Sequence, residues 1–419
     1  MEANPSRQLG TLELLALGIN GIVGVGIFFA PAAVAAGAPG LGSVLVFALT
    51  GLAMVPVAWA MATLGSHLHE DGAAVLYARR AFGESTGFAV GWITYVSALL
   101  STSTVLVGLT QAVLGASYGR WAAALAATVL ALVCALGLKA SARLWSGLTV
   151  AKLVPLVVLA VLVLVHPAPT IDVPAFTRHS GWLRACLTAT FVFQGFEVVP
   201  LLAGQARHPA RSMPIATLGS LLGATVLYLI LQHGAVAALP DLQGEAEPLV
   251  ATATAHGSPG IARLVRIGTS VSALGIAFGM TTTTPRYLAA LAAGTRLAAE
   301  RRSVPLRALG LTWLFVVGLI LGLGELGELL VLSSLAVVLQ FAVVALSLVQ
   351  LARTRAHGLS PRDAWPAVPT LLVALALLSA ATGREWLIAG ALLVAGIGFR
   401  VGYGRWRRSR RALPTERPM

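Results

Sequence analysis

At 419 residues, with 57% hydrophobic and only 11% charged side chains and a mean hydropathy of +0.84, the chain carries more apolar surface than one water-soluble core can hide. That excludes a soluble globular enzyme and makes the lipid bilayer the solvent. The net charge of +13 does not require nucleic acid, because the basic run RWRRSRR near the C-terminus reads as a cytoplasmic anchor on anionic lipid.

Apolar runs long enough to cross ~30 Å of hydrocarbon, roughly 17 to 25 residues each, recur along nearly the whole chain. About twelve are predicted, all α-helical. The first, near 11–36, contains INGIVGVGIFFAP at 19–31, with three glycines within six residues and then a proline. Gly18, Gly21 and Gly24, at spacings of three, would let a neighbouring backbone approach closely, so helix packing is one reading. A second span follows near 41–66 and ends in HLHED at 67–71, which offers metal ligands but has no partner cluster elsewhere.

Spans near 87–114 and 120–138 flank GASYG at 115–119. That pattern matches a serine-nucleophile motif, yet it lies in a turn between helices rather than at a strand-to-helix elbow, so no enzyme is expected. The fifth span, near 144–166, holds Lys152 nine residues beyond Arg143. A rise of 1.5 Å per residue places it about 13 Å along the helix, near mid-hydrocarbon, unless the helix starts later and the amine snorkels to the interface. The sixth span, near 183–204, carries a second interruption, FQGFEVVP at 193–200. Gly26 precedes Pro31 by five residues, and Gly195 precedes Pro200 by the same distance. Further spans are predicted near 213–238, 261–285, 306–324, 328–350, 365–383 and 385–403.

If the N-terminus faces the cytoplasm, most of the 29 lysines and arginines fall on that side, including Arg79, Arg80, Arg207, Arg211, Arg353 and the seven arginines from Arg400 to Arg417. The asymmetry predicts a multi-pass protein of the inner (cytoplasmic) membrane with both termini inside and its first span retained. The two cysteines, Cys134 and Cys186, occupy different spans and suggest neither a disulfide framework nor a metal site. No cofactor motif is found.

Two interruptions in corresponding spans of two five-helix halves point to a substrate site at the midplane. Broken helices leave backbone groups unpaired, and a bound ligand can satisfy them. N–H groups near Gly26 suit a carboxylate. Carbonyls near Ile22, Phe191 and Gln194 suit an ammonium, and the pair describes an α-amino acid.

At these positions the chain resembles the amino acid, polyamine and organocation transporter family. GVGIF at 24–28 is similar to that family's first-helix signature, with Val25 where serine is common. FVFQGFE at 191–197 resembles its sixth-helix break, ARHPARSMPIA at 206–216 the segment that follows, and EDGAAVLYARRAFGESTGFAVGW at 70–92 its re-entrant loop and third-helix start. TTTTPRYLAALAAGTRLAAE at 281–300 is a looser match.

The resemblance implies a five-plus-five inverted repeat (LeuT-type) in one transporter domain, with repeats at 11–166 and 183–350, extra helices at 365–403 and a basic tail at 404–419. It implies that Gly24, Val25 and Gly26 bind the carboxylate through N–H groups, and that the carbonyls of Ile22, Phe191 and Gln194 receive the amine. Phe191 or Phe196 would act as an aromatic gate unless these rings serve only helix or lipid contacts. Glu197 would be either a hydrogen-bond anchor of the break or a titrating group. Lys152 would occupy the place of a sodium ion in relatives and couple transport to protons. The expected activity is secondary transport of a small or medium neutral amino acid, driven by the proton gradient without a cofactor. A polyamine or organocation exchanger is the alternative on the same fold, and a channel the more distant one.

Overall fold

The computed structural model describes residues 9–114, 119–137, 142–166, 181–300, 304–323 and 325–411. The GASYG motif and the end of the basic tail therefore lie almost wholly outside the described residues. The chain is helical almost throughout, as its apolar composition requires when no water is present to pair exposed backbone.

The first predicted span is two pieces. Helix α1 covers Thr11–Ile22, the backbone opens at 23–25, a single 3-10 turn forms at Gly26–Phe28, and α2 covers Ala30–Gly37. Pro31 stands in the first turn of α2, where its missing N–H leaves no helical bond unmade. Helix α3 (Leu41–His67) follows, then the short α4 (Ala73–Phe82), α5 (Glu84–Leu114), α6 (Gly119–Ala135) and α7 (Ala142–Val165). The sixth predicted span is also divided, into α8 (Trp182–Phe193) and α9 (Val198–Leu201). Helices α10 (Pro209–Ala238), α11 (Pro248–Ala255), α12 (Pro259–Leu291), α13 (Leu306–Gly322) and α14 (Leu326–Arg353) come next, then α15 (Ala367–Ser379) and α16 (Gly383–Arg411).

Five of these, α3, α5, α10, α12 and α14, are long and apolar enough to cross a bilayer alone, and Pro361–Ser379 with Gly383–Arg400 forms a pair bent by 113°. The difference from about twelve predicted spans has a physical source. Helices α1 and α8 are halves of interrupted spans, and a 17-residue helix such as α6 or α13 reaches only about 26 Å. The short α4 and α11 carry no span-length apolar run and were not predicted as separate helices.

Helix α3 packs on α10 and α5 on both α12 and α14; of these long helices, α10 packs on α1, and α3 and α14 pack on α8. The broken helices meet backbone to backbone. A Cβ on Gly21 would lie 2.6 Å from the Gly195 carbonyl oxygen, and one on Gly195 would overlap the Gly21 carbonyl. Gly195 also has φ +119°, a conformation that side chains disfavour. Of the three glycines read as a packing face, Gly21 meets a neighbouring backbone, Gly18 abuts the side chains of Ser220 and Val199, and Gly24 makes only ordinary contact with the Ile276 side chain.

The two ends of the second broken helix are held differently. At the α8 end, Glu385, its side chain almost fully buried, accepts both arms of Arg184 at 2.7 and 3.1 Å and the Thr382 N–H at 2.7 Å. Arg384 next to it reaches Glu328 of α14 at 3.3 Å. At the α9 end, Asp71 accepts the Gly204 N–H at 3.0 Å and the Gln205 amide at 2.8 Å, and Leu9 forms a parallel bridge to Ala206.

Because the crossing of the two breaks admits no side chain, Gly21→Val is expected to lower the thermal unfolding midpoint in detergent by several degrees, a loss of about 1–3 kcal/mol. An unchanged midpoint would mean that the two backbones are free to separate.

Candidate functional site

A cavity of about 690 Å³ lies where the breaks meet, lined by residues of both breaks, by α5, α12 and α14, by Lys152 of α7, and by Gly72–Val75 at the start of α4. Among the described lining residues Lys152 and Glu197 alone carry charge.

The first break opens because three glycines remove side-chain packing from one turn. The Ile22 carbonyl accepts the Gly24 N–H at 2.7 Å, and the Phe28 and Phe29 N–H groups donate to the carbonyls of Val25 and Gly26 at 3.1 Å each. The N–H groups of Val25 and Gly26 have no backbone partner among the described residues. Both residues line the cavity, at the start of a 3-10 turn, where backbone donors are left without helical acceptors. A Cβ on Gly26 would sit 3.0 Å from ring carbons of Phe191, so bare backbone is all that fits between the aromatic ring and the break.

At the second break the Gln194 N–H reaches the Phe191 carbonyl at 3.4 Å, while the Gln194 carbonyl has no backbone donor among the described residues. The Glu197 carboxylate accepts the Gly195 N–H at 2.8 Å, which makes it a local clamp on the break. Tyr228 of α10 joins the two interruptions. Its hydroxyl lies 2.9 Å from the Ile22 carbonyl and 3.2 Å from that of Val192, so one proton is shared between the two broken helices.

Most of the residues singled out from the sequence converge. Ile22, Gly24, Val25, Gly26, Phe191, Gln194, Lys152 and Glu197 all line the cavity. Four differ from expectation in detail: the Gly24 N–H donates to the Ile22 carbonyl rather than being left for a carboxylate, the Phe191 carbonyl takes the Gln194 N–H rather than an ammonium, and Ile22 and Phe196 depart as follows. Ile22 does not present a free carbonyl, since Gly24 and Tyr228 occupy it. Phe196 is fully buried behind the cavity wall, stacked on Phe341 with centroids 5.7 Å apart, so of the two gate candidates only Phe191 faces the cavity.

Lys152 is buried, and its ammonium donates to the Asn20 carbonyl at 2.6 Å, one turn before the first break. The amine therefore ends on α1 rather than at an interface. Sequence reasoning missed Asn20, Tyr228, Ser272 and the Thr94–Gln340 pair, in which the Thr94 hydroxyl donates to the Gln340 side-chain oxygen at 3.0 Å. Each is a polar residue inside a predicted span, which was the available signal. In HLHED, His67 and His69 contact the Thr63 and Ser66 carbonyls, Glu70 pairs with Arg80, and Asp71 holds Gly204 and Gln205; no cluster of metal-binding side chains occurs among the described residues.

The amino acid permease family profile matches residues 9–398. An uncharacterized transporter of Mycobacterium tuberculosis is 28% identical over 94% of this chain and 91% of its own length. The serine/threonine exchanger of Bacillus subtilis is 26% identical over 71% of this chain and 69% of its own. The methylthioribose transporter of the same organism is 27% identical, and the match covers 54% of this chain and about half, 53%, of that relative.

Tyr228→Phe removes the proton that the two broken helices share. The expected loss is about 1 kcal/mol of stability, read as a lower unfolding midpoint in detergent. No change would show that the Ile22 and Val192 carbonyls are satisfied without it.

Proposed function

The chain belongs to the amino acid permease family, and from that membership we propose that it is a secondary active transporter that carries a small or medium neutral amino acid across the inner membrane by alternating access. The observation that carries the reading is the pairing, in one cavity, of unpartnered Val25 and Gly26 N–H groups with the open Gln194 carbonyl. The donors suit a carboxylate and the carbonyl suits an ammonium. Phe191 closes over the space between them.

The proposed architecture is twelve spans in one domain, with two five-helix halves, 11–166 and 183–350, related as an inverted repeat, two further helices at 365–403, and a basic tail on the lipid surface. The paired breaks in α1/α2 and α8/α9 support it. With both termini cytoplasmic, as the Lys and Arg distribution favours, the lining residues Gly72–Val75, which precede Arg79 and Arg80 in α4, lie on the inner side. A polycation fits this cavity poorly, because its one carboxylate, Glu197, already holds the Gly195 N–H.

Energy coupling is assigned to protons through Lys152. Charged, the amine ties α7 to the α1 carbonyl of Asn20 by a charge-assisted hydrogen bond. Neutral, it would hold that carbonyl more weakly and release α1 to move relative to α7. No cofactor enters this scheme.

In reconstituted vesicles, an inward proton gradient is expected to drive accumulation of a neutral amino acid without dependence on sodium, and Lys152→Ala to abolish the pH dependence. A sodium-dependent wild type, or unchanged proton-driven accumulation in the variant, would remove Lys152 from the coupling. Strong competition by putrescine with none by alanine, serine, leucine or phenylalanine would reject the substrate class.

Gly26→Leu is expected to weaken amino acid binding by at least ~100-fold, or about 2.8 kcal/mol, while the protein still elutes as a folded species. Retained affinity would return this glycine to a packing role.

A further inference from the structure

The loop that joins α3 to α4 is bonded in two directions of unequal strength. On one side it is laced to the end of α9: Asp71 accepts the Gly204 N–H at 3.0 Å and the Gln205 side-chain amide at 2.8 Å, and the Gly72 N–H donates to the Leu201 carbonyl at 3.2 Å. An ionised carboxylate only accepts, so Gln205 presents its nitrogen here whichever way its amide is drawn. Leu9 pairs with the same stretch, donating its N–H to the Gln205 carbonyl at 2.8 Å and accepting the Arg207 N–H at 3.0 Å. Beside these bonds Leu14 of α1, Ala62 of α3, Val199 of α9 and Met213 of α10 form a hydrophobic cluster separate from the main core. The start of α1, the C-terminal end of α3, α9 and the start of α10 are thus one packed body.

Helix α4 belongs elsewhere. Its buried Leu76, Tyr77 and Ala78 enter the main core, and it packs chiefly on α5 and α14. Between the two bodies stand Gly72 and Ala73, with φ of +132° and +40°. The first is a conformation for glycine, and the second is strained for a residue with a side chain. Hinges are a few residues at the ends of elements that absorb a change of backbone angle, and these two hold that place. The ties that span them are weak: an exposed ion pair between Glu70 and Arg80, and a long contact of 3.4 Å from the Tyr77 hydroxyl to the Met61 carbonyl. Gly72 and Ala73 also line the cavity, so a rotation there alters its wall directly.

We infer that Gly72–Ala73 is the hinge on which the body of α1, α9 and the start of α10 turns against α4, α5 and α14, and that Asp71 is the positioning residue that fixes this hinge to α9. The use of the motion, to open and close the cavity in a transport cycle, rests on the transporter reading; the hinge itself does not. The asymmetry of the bonds supports the assignment. Three hydrogen bonds hold the loop to α9, while the step into α4 is crossed only by contacts that break at little cost.

The test is the distribution of distances between paired spin labels in the purified full-length protein carrying Cys134→Ala and Cys186→Ala. Labels at Arg79→Cys and Arg211→Cys span the hinge, labels at Arg79→Cys and Arg353→Cys lie within one body, and all three positions are exposed. The spanning pair is expected to give two distances and the within-body pair one. Gly72→Val, whose side chain disfavours φ of +132°, is expected to lose the second distance, whereas Ala73→Gly, which holds +40° without strain, keeps both. Asp71→Ala is expected to spread the spanning pair into one broad distribution. A single sharp distance for the spanning pair in the parent protein, or both distances retained in folded Gly72→Val, would overturn the hinge. An unchanged spanning pair in Asp71→Ala would remove Asp71 from it. Should Gly72→Val not fold, the two parent distributions decide. Two hinge distances in a protein that transports no amino acid would leave the hinge standing and sink the transporter reading.

Discussion

In an apolar surrounding every backbone N–H and C=O removed from a helix must find another partner, at several kcal/mol for each that does not. This chain breaks two helices and places the breaks against each other. Gly21 and Gly195 touch through bare backbone, Tyr228 shares its proton between the two interrupted carbonyl ends, and Glu197 takes the Gly195 N–H. The residues whose backbone groups remain without a backbone partner at the breaks among the described residues, Val25, Gly26 and Gln194, all line one cavity. The long helices α5, α12 and α14 contribute to the wall of that cavity.

The same crossing sets what can move. Lys152 reaches α1 from α7 by a single bond to a carbonyl, whereas α1 and α8 are joined by close backbone contact and a shared phenol.

Much of this was legible in the sequence. Composition alone required a helical membrane protein, and the glycine clusters at 21–26 and 195 marked both breaks, because glycine inside an apolar helix sacrifices packing and must gain something in return. The convergence of Val25, Gly26, Phe191, Gln194, Lys152 and Glu197 followed from pairing the breaks. The partners did not. That the Ile22 carbonyl takes a second donor besides the nearby Gly24 N–H depends on Tyr228, which lies some two hundred positions away and enters only through the packing of α10. Phe191 and Phe196 are equally aromatic in the sequence, and only the packing of the folded chain places one in the cavity lining and the other on Phe341. Nor could hydropathy separate a helix of crossing length from half of a broken one, which is why about twelve apolar runs correspond to fewer helices that cross alone.

The second broken helix is fastened at its two ends by unlike bonds. At the α8 end two full charges, Arg184 and Glu385, meet with the arginine partly in solvent. At the α9 end the carboxylate of Asp71 grips neutral amides. Salt screens exposed charges far more than buried ones. Glu385 is almost fully buried whereas Asp71 is exposed, so the charged anchorage at the α8 end holds across ionic strengths, as its burial and not its net charge decides.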